Sequence, residues 1–280
     1  MLNTILILCN DQVERCLMPR ANRYFVPGYL YHITHRCHNK SFLFKFKIDF
    51  EQMLSWIKEA KKRYDVKVYD YVLTHNHIHL ILFDPSERKA ISRFMQLAAG
   101  QFAEEYNARR KRHGAFWGDR YHSTAVDNQT YLLQCLGYIG LNMVRAGVVP
   151  HPEEWPYCGY HELISSRKTQ IIDKKELAAT IGLRSVKELS ETYLGVISDK
   201  LQRRELERDS RWSESIAIGS SDFVLKFAEG LGVRMKNRKI IGTDKVFTIR
   251  DERAEYGLTS KDQMSALEGD NTINWMDGIG

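Results

Sequence analysis

A chain of 280 residues with 43% apolar and 27% charged side chains is long enough for a full hydrophobic core and has the balance of a soluble globular protein. Its net charge of +6 admits a polyanionic partner without requiring one. Five cysteines, Cys9, Cys16, Cys37, Cys135 and Cys158, form no CxxC pair, which argues against a disulfide framework and for a reducing cytoplasm. No apolar run approaches the ~18 residues of a membrane span.

The opening MLNTILILCN has no basic region ahead of its apolar patch, so it does not read as a signal peptide. Met18-Pro19-Arg20 is the expected start of the folded domain, leaving residues 1–17 as a disordered or mis-annotated extension. Tyr29 to Arg36 alternates and reads as a strand. Ile48 to Tyr64 has the three-and-four apolar spacing of an amphipathic helix. Val66 to Leu73 and His77 to Phe83 read as two strands joined by a polar turn at Thr74-His75-Asn76. Lys89 to Arg109 reads as a second helix, Tyr121 to Val126 as a fourth strand, and Asn128 to Ala146 as a last helix capped by Asp127 and stopped by Gly147. The resulting order is an α+β, ferredoxin-like split βαβ antiparallel sheet with an added helix.

Beyond it, Pro150 to Tyr160 reads as a connection across the surface. Residues 166–235 read as a helical C-terminal extension and 236–280 as a loosely ordered tail. Residues 18–165 form the expected catalytic domain.

The run THNHIHLIL places His77 and His79 two apart, so both imidazoles share one strand face. Two neutral imidazoles can chelate a divalent metal if another ligand joins them; a His-x-His pair without function is the plainer alternative. In YLLQCLGYIGLNMVRAGVV, Tyr138 and Asn142 stand four apart on one helical face. Tyr offers a nucleophilic hydroxyl and Asn a carbonyl ligand, or the two are a half-buried aromatic and a helix-end polar residue. Combined, the residues describe a metal on His77, His79 and Asn142 polarising a phosphate oxygen while the Tyr138 hydroxyl attacks phosphorus.

On these motifs the chain resembles the single-tyrosine HUH transposases, in particular the REP-associated tyrosine transposases of bacterial mobile elements. The family opens like MPRANRYFVPGYLYHITHR and has segments like VLMPNHVHLLL and YIHLNPVRAGLV; this chain has YVLTHNHIHLIL, YIGLNMVRAGVV and a WPYCGY segment. The resemblance covers about Met18 to Leu163. It implies a transposase-type endonuclease and strand transferase that cleaves and rejoins single-stranded or hairpin DNA, with Mg²⁺ or Mn²⁺ as cofactor and a 5′-phosphotyrosine at Tyr138. Members commonly act as homodimers, some as monomers.

Thr74-His75 replaces the usual Met-Pro, Gly140 the usual His and Met143 the usual Pro. Gly140 is expected to cost roughly 1 kcal/mol against Ala and to loosen the tyrosine. Two other readings compete with the transposase: a domesticated, non-catalytic DNA-hairpin-binding protein, and a zinc hydrolase using His75, His77 and His79. Expected DNA contacts are Arg20 and Arg23 as an N-terminal arm, and Arg109, Arg110, Lys111, Arg112, Trp117 and Arg120, which mix cations with an aromatic ring; Phe116 and Trp117 as core anchors are the alternative.

Overall fold

A computed structural model describes residues 25–86, 90–127, 129–165, 170–243 and 246–251. Arg20, Arg23, the expected extension 1–17 and residues 252–280 of the expected tail lie outside the described residues.

The expected order is present. Strand β1 (Leu30–Arg36) leads to helix α1 (Lys47–Tyr64), the hairpin β2 (Lys67–Leu73) and β3 (His77–Phe83), helix α2 (Ala90–Arg109) and strand β4 (His122–Val126). The strands lie β2-β3-β1-β4, all antiparallel, so β3 is inserted between β1 and β2 as a split βαβ requires. The molecule is an α+β protein.

Several elements depart from the sequence reading. The last expected helix is two: α3 (Thr130–Gly140) and the single turn α4 (Asn142–Arg145), parted at Leu141, whose φ of −90° and ψ of 10° leave the helical region. Gly147, at φ +69°, is the stop, and the Val148 amide closes on the Met143 carbonyl at 3.0 Å. Asp127 is not the cap; its carboxylate accepts the Ser220 amide at 3.0 Å and hydroxyl at 2.7 Å instead. The proline-rich connection also does more than cross the surface. Leu73 donates its amide to Tyr157 and Gly159 donates to Tyr71, so residues 157–159 cover the free edge of β2.

After α5 (Tyr160–Ile164) come α6 (Lys174–Ile181), α7 (Val186–Gln202) and the short α8 (Arg211–Glu214). The segment read as wholly helical then forms strand β5 (Ala217–Gly219), which pairs parallel with β4, followed by α9 (Ser221–Leu231). Where a loosely ordered tail was expected, β6 (Arg238–Thr243) and β7 (Val246–Asp251) form a hairpin on β5, completing a seven-stranded sheet. The sequence signal was hidden because β6 leaves Ile240 and Ile241 partly exposed and so shows no clean alternation.

Helix α7 packs on α3 through two glycines. A methyl at Gly140 would meet the Tyr193 hydroxyl at 2.4 Å, and one at Gly137 would meet Val196 at 2.8 Å. Beside its low helix propensity, Gly140 has a packing role: it lets a neighbouring helix approach.

Candidate active site

Cross-strand pairing fixes one sheet face. Thr34 lies opposite His79 and Arg36 opposite His77, so both histidines of β3 share a face with alternate residues of β1, including His32. The pairs His32–Thr124 and Thr34–His122 carry the face on to β4. Tyr138 of α3 comes down onto it, with ring centroids 6.1 Å from both His32 and His79.

The two imidazoles are held by different partners. His77 Nδ1 lies 2.6 Å from Asn76 Oδ1 and 2.9 Å from Thr74 Oγ1. His79 Nδ1 lies 2.8 Å from His32 Nε2 and 3.1 Å from Thr34 Oγ1. Their rings stand 4.8 Å apart and nearly perpendicular. Burial, reinforced by Arg36, Arg145 and Arg208, pushes the His77 imidazolium down to about 3; burial and the other two histidines hold His79 well below its ordinary value. Both rings are neutral at physiological pH, the form that ligates metals.

Tyr138 is buried, and burial raises its hydroxyl above the ordinary value of about ~10 while Arg145 and Arg208 oppose that rise. The Arg145 guanidinium carbon sits 4.1 Å from the Tyr138 ring centroid, and its Nη2 donates to the Tyr138 carbonyl at 2.9 Å. On another side Trp212 of α8 approaches the ring, centroids 6.0 Å apart. A cleft of about 810 Å³ opens beside Tyr138 and Arg145, walled by α7 residues Val196 and Lys200 and by Arg211 and Trp212.

Asn142 is buried at the start of α4. Because the helix breaks at Leu141, the expected continuous helical face carrying Tyr138 and Asn142 is interrupted. His75, the third histidine of the run, turns away: its Nδ1 faces the Phe44 carbonyl at 2.9 Å and its ring packs edge-on against Phe50 and Trp155. That placement removes the support for a three-histidine zinc site.

Donor chemistry tests whether a divalent metal fits. Among the described residues no three His, Cys, Asp or Glu side chains gather into a metal cluster. Two neutral imidazoles, each engaged through Nδ1, leave two Nε2 positions as nitrogen donors, and Asn142, buried at the start of α4, is the oxygen donor expected from the sequence. By donor chemistry, two imidazole nitrogens and an amide oxygen suit a cation that takes mixed nitrogen and oxygen ligands.

Sequence reasoning missed His32, Arg36, Arg145, Arg208 and Trp212. His32 and Arg36 were legible in principle, since YHITHR alternates and the same period puts both on the histidine face. Arg145 stands seven residues from Tyr138, two helical turns along one face, but that spacing alone does not say that its guanidinium reaches back over the ring. Arg208 and Trp212 come from a distant segment that no local pattern ties to the site.

The expected DNA contacts separate. Arg109 and Arg110 pair with the fully buried Asp49 at 2.6 and 3.5 Å, and Arg110 also lies over Phe46. Arg112 donates to Asn107, Gly114 and Ala115 and so holds its own loop. Trp117 donates Nε1 to the Ala99 carbonyl and stacks on His35 at 4.0 Å, while Phe116 is buried among Phe44, Phe102 and Tyr106. Both rings are anchors of the fold, though Trp117 keeps an exposed part beside Arg120 in an open cleft. Lys111 is exposed at the tip of the basic loop.

Residues 25–141 match the family model described as transposase IS200 like. The matched segment runs from the lead into β1 through α3, so it contains His77, His79 and Tyr138. Among solved structures, one described as a REP-associated tyrosine transposase bound to a REP hairpin is 20% identical, covers 53% of this chain and 87% of that chain, and has a TM-score of 0.47. A Deinococcus radiodurans R1 structure provisionally assigned as a transposase is 15% identical over 43% of this chain and 95% of that one, with a TM-score of 0.31. No curated protein matches the chain. Among the described residues no helix is long and apolar enough to cross a membrane.

Proposed function

We propose that the protein is a tyrosine transposase that cleaves and rejoins single-stranded hairpin DNA through a covalent 5′-phosphotyrosine at Tyr138. The observation that carries the reading is the convergence of Tyr138 and two neutral histidines on one sheet face within the transposase-like segment, with Arg36 of that face and Arg145 and Arg208 from beyond the segment close by. Arg36, Arg145 and Arg208 act together on His77, and such a cluster suits the single negative charge that a phosphodiester spreads over its two non-bridging oxygens better than a neutral substrate.

The Tyr138 oxygen attacks phosphorus, the bond to the 3′-oxygen breaks, and that oxygen leaves as a 3′-hydroxyl after taking a proton. The phenolic proton passes to solvent in the cleft. Arg145 holds the ring and favours the developing phenolate. A divalent cation, Mg²⁺ or Mn²⁺, held by His77, His79 and Asn142 would polarise the scissile phosphate. Rejoining reverses the attack with a 3′-hydroxyl as nucleophile. A homodimer and a cytoplasmic location accompany this reading.

The test is a denaturing gel with end-labelled single-stranded hairpin DNA and Mn²⁺. The expected result is a protein–DNA adduct in the wild type that is absent from Tyr138→Phe while both bind the hairpin. An adduct that persists in Tyr138→Phe would overturn the assignment.

A further inference from the structure

Hydrogen-bond chemistry fixes a proton on each ring of the histidine pair. A backbone carbonyl can only accept, and His32 Nδ1 lies 2.8 Å from the carbonyl of Trp212, so His32 carries its proton on Nδ1. His32 Nε2 faces His79 Nδ1 at 2.8 Å, and two lone pairs cannot meet at that distance. One proton must lie between them. If His32 supplied it, His32 would be an imidazolium that is 0% exposed, with another imidazole and a peptide carbonyl as its ring partners. Burying that charge with no anionic partner on either ring nitrogen is costly, so the ring is neutral and the proton belongs to His79 Nδ1. Thr34 Oγ1, 3.1 Å away, takes the weaker branch of the same donation.

His77 reaches the same state by another route. Asn76 Nδ2 donates to the Lys40 carbonyl at 3.2 Å, which turns Oδ1 toward His77 Nδ1 at 2.6 Å. Oδ1 accepts, so Nδ1 is again the donor.

We infer that His32 is a positioning residue which, through the Trp212 carbonyl, locks His79 as the Nδ1–H tautomer and presents its Nε2 lone pair to a metal. The C-terminal extension thereby becomes part of the catalytic centre: one residue, Trp212, sets the histidine tautomer with its carbonyl and flanks the Tyr138 ring with its indole. An unconstrained neutral histidine side chain favours the opposite, Nε2–H tautomer, in which the outward nitrogen cannot ligate until it loses a proton. The inference rests on the reading of His79 as a metal ligand, and two readouts separate the two.

The first readout is long-range ¹H–¹⁵N correlation of the full chain labelled with ¹⁵N-histidine and free of metal. Wild-type His79 is expected to show the Nδ1–H pattern. His32→Phe, which removes the acceptor, is expected to shift His79 to the Nε2–H form, and His32→Gln, whose amide offers a donor and an acceptor at similar spacing, to restore Nδ1–H. The second readout is Mn²⁺ binding by calorimetry. His32→Phe should weaken it about tenfold, with His32→Gln close to wild type. An Nε2–H pattern in wild-type His79, or an unchanged pattern in a folded His32→Phe, overturns the relay. If His32→Phe does not fold, the wild-type spectrum alone decides. A wild type with the expected tautomer that binds no Mn²⁺ leaves the relay standing and overturns the metal reading.

Discussion

Arg145 lies flat against Tyr138, its guanidinium carbon 4.1 Å from the ring centroid, while its Nη2 holds the same residue's backbone carbonyl at 2.9 Å. One side chain therefore fixes both the ring and the backbone of the candidate nucleophile. A desolvated cation over a ring is worth about 2 kcal/mol, and the charge also opposes the rise in the Tyr138 hydroxyl caused by burial. Arg145→Ala should slow adduct formation by roughly 10- to 30-fold in single-turnover assays. The pH at which the rate rises should move upward, since the phenol loses a neighbouring cation. An Arg145→Ala protein with an unchanged pH profile would show that the contact is structural alone.

Gly140 and Tyr193 make a second linked pair. A Cβ on residue 140 would come 2.4 Å from the Tyr193 hydroxyl and 3.0 Å from Ile197, and that hydroxyl is buried with no hydrogen-bond partner among the described residues. Gly140→Ala should gain a little helix propensity yet lose about 1–3 kcal/mol by overpacking, because α7 must move off α3. Tyr193→Phe should be neutral or stabilising, and Gly140→Ala should cost less in that background. Urea unfolding of the four proteins closes the cycle; purely additive losses would mean that the clash is relieved elsewhere.

These pairs show what the sequence could and could not convey. The strand carrying His77 and His79 and the helix carrying Tyr138 were legible, since period and spacing are local. Gly140 was read only through helix propensity, because its reason is a helix some fifty residues later. Asp127 had the chemistry of a cap but was taken by Ser220, another distant residue. Strands β5 to β7 escaped because a three-residue strand and a part-exposed hairpin carry little periodicity. His32 was visible as a residue on an alternating strand, but its role depends on a carbonyl that has no sequence signature at all.

The basic loop yields opposite expectations for neighbouring residues. Arg109 neutralises Asp49, whose carboxylate also accepts the amides of Lys45 and Phe46 ahead of α1. Arg109→Ala strands part of that buried charge and should destabilise the fold by about 3 kcal/mol. Lys111→Ala should leave thermal stability near wild type. If the loop contacts DNA phosphates, it should lower the slope of log affinity against log salt by about 1 for a hairpin ligand. A stable Arg109→Ala protein with the larger loss of salt dependence would reverse the two assignments.

Asp70 is fully buried on β2, and burial, with Glu162 nearby, holds its carboxyl well above the ordinary carboxylate range. Oδ1 accepts the Tyr71 amide at 2.8 Å, and Oδ2 is buried without a hydrogen-bond partner among the described residues. Tyr71 on β2, Cys135 on α3, Cys158 beside β2, Tyr193 on α7 and Glu162 on α5 are ionisable groups that sense it. The folded chain thus retains a proton that the unfolded chain releases near pH ~4. Stability from this group is full below that value and falls as pH rises, by about 1.4 kcal/mol per pH unit until the folded carboxyl itself ionises. Asn in its place keeps the accepting oxygen and cannot ionise. Asp70→Asn should therefore gain on the wild type as pH rises from 5 toward 8. Melting temperatures of both proteins across that range check this, and a difference that stays constant or shrinks with pH would mean that Asp70 ionises at little cost in the folded state.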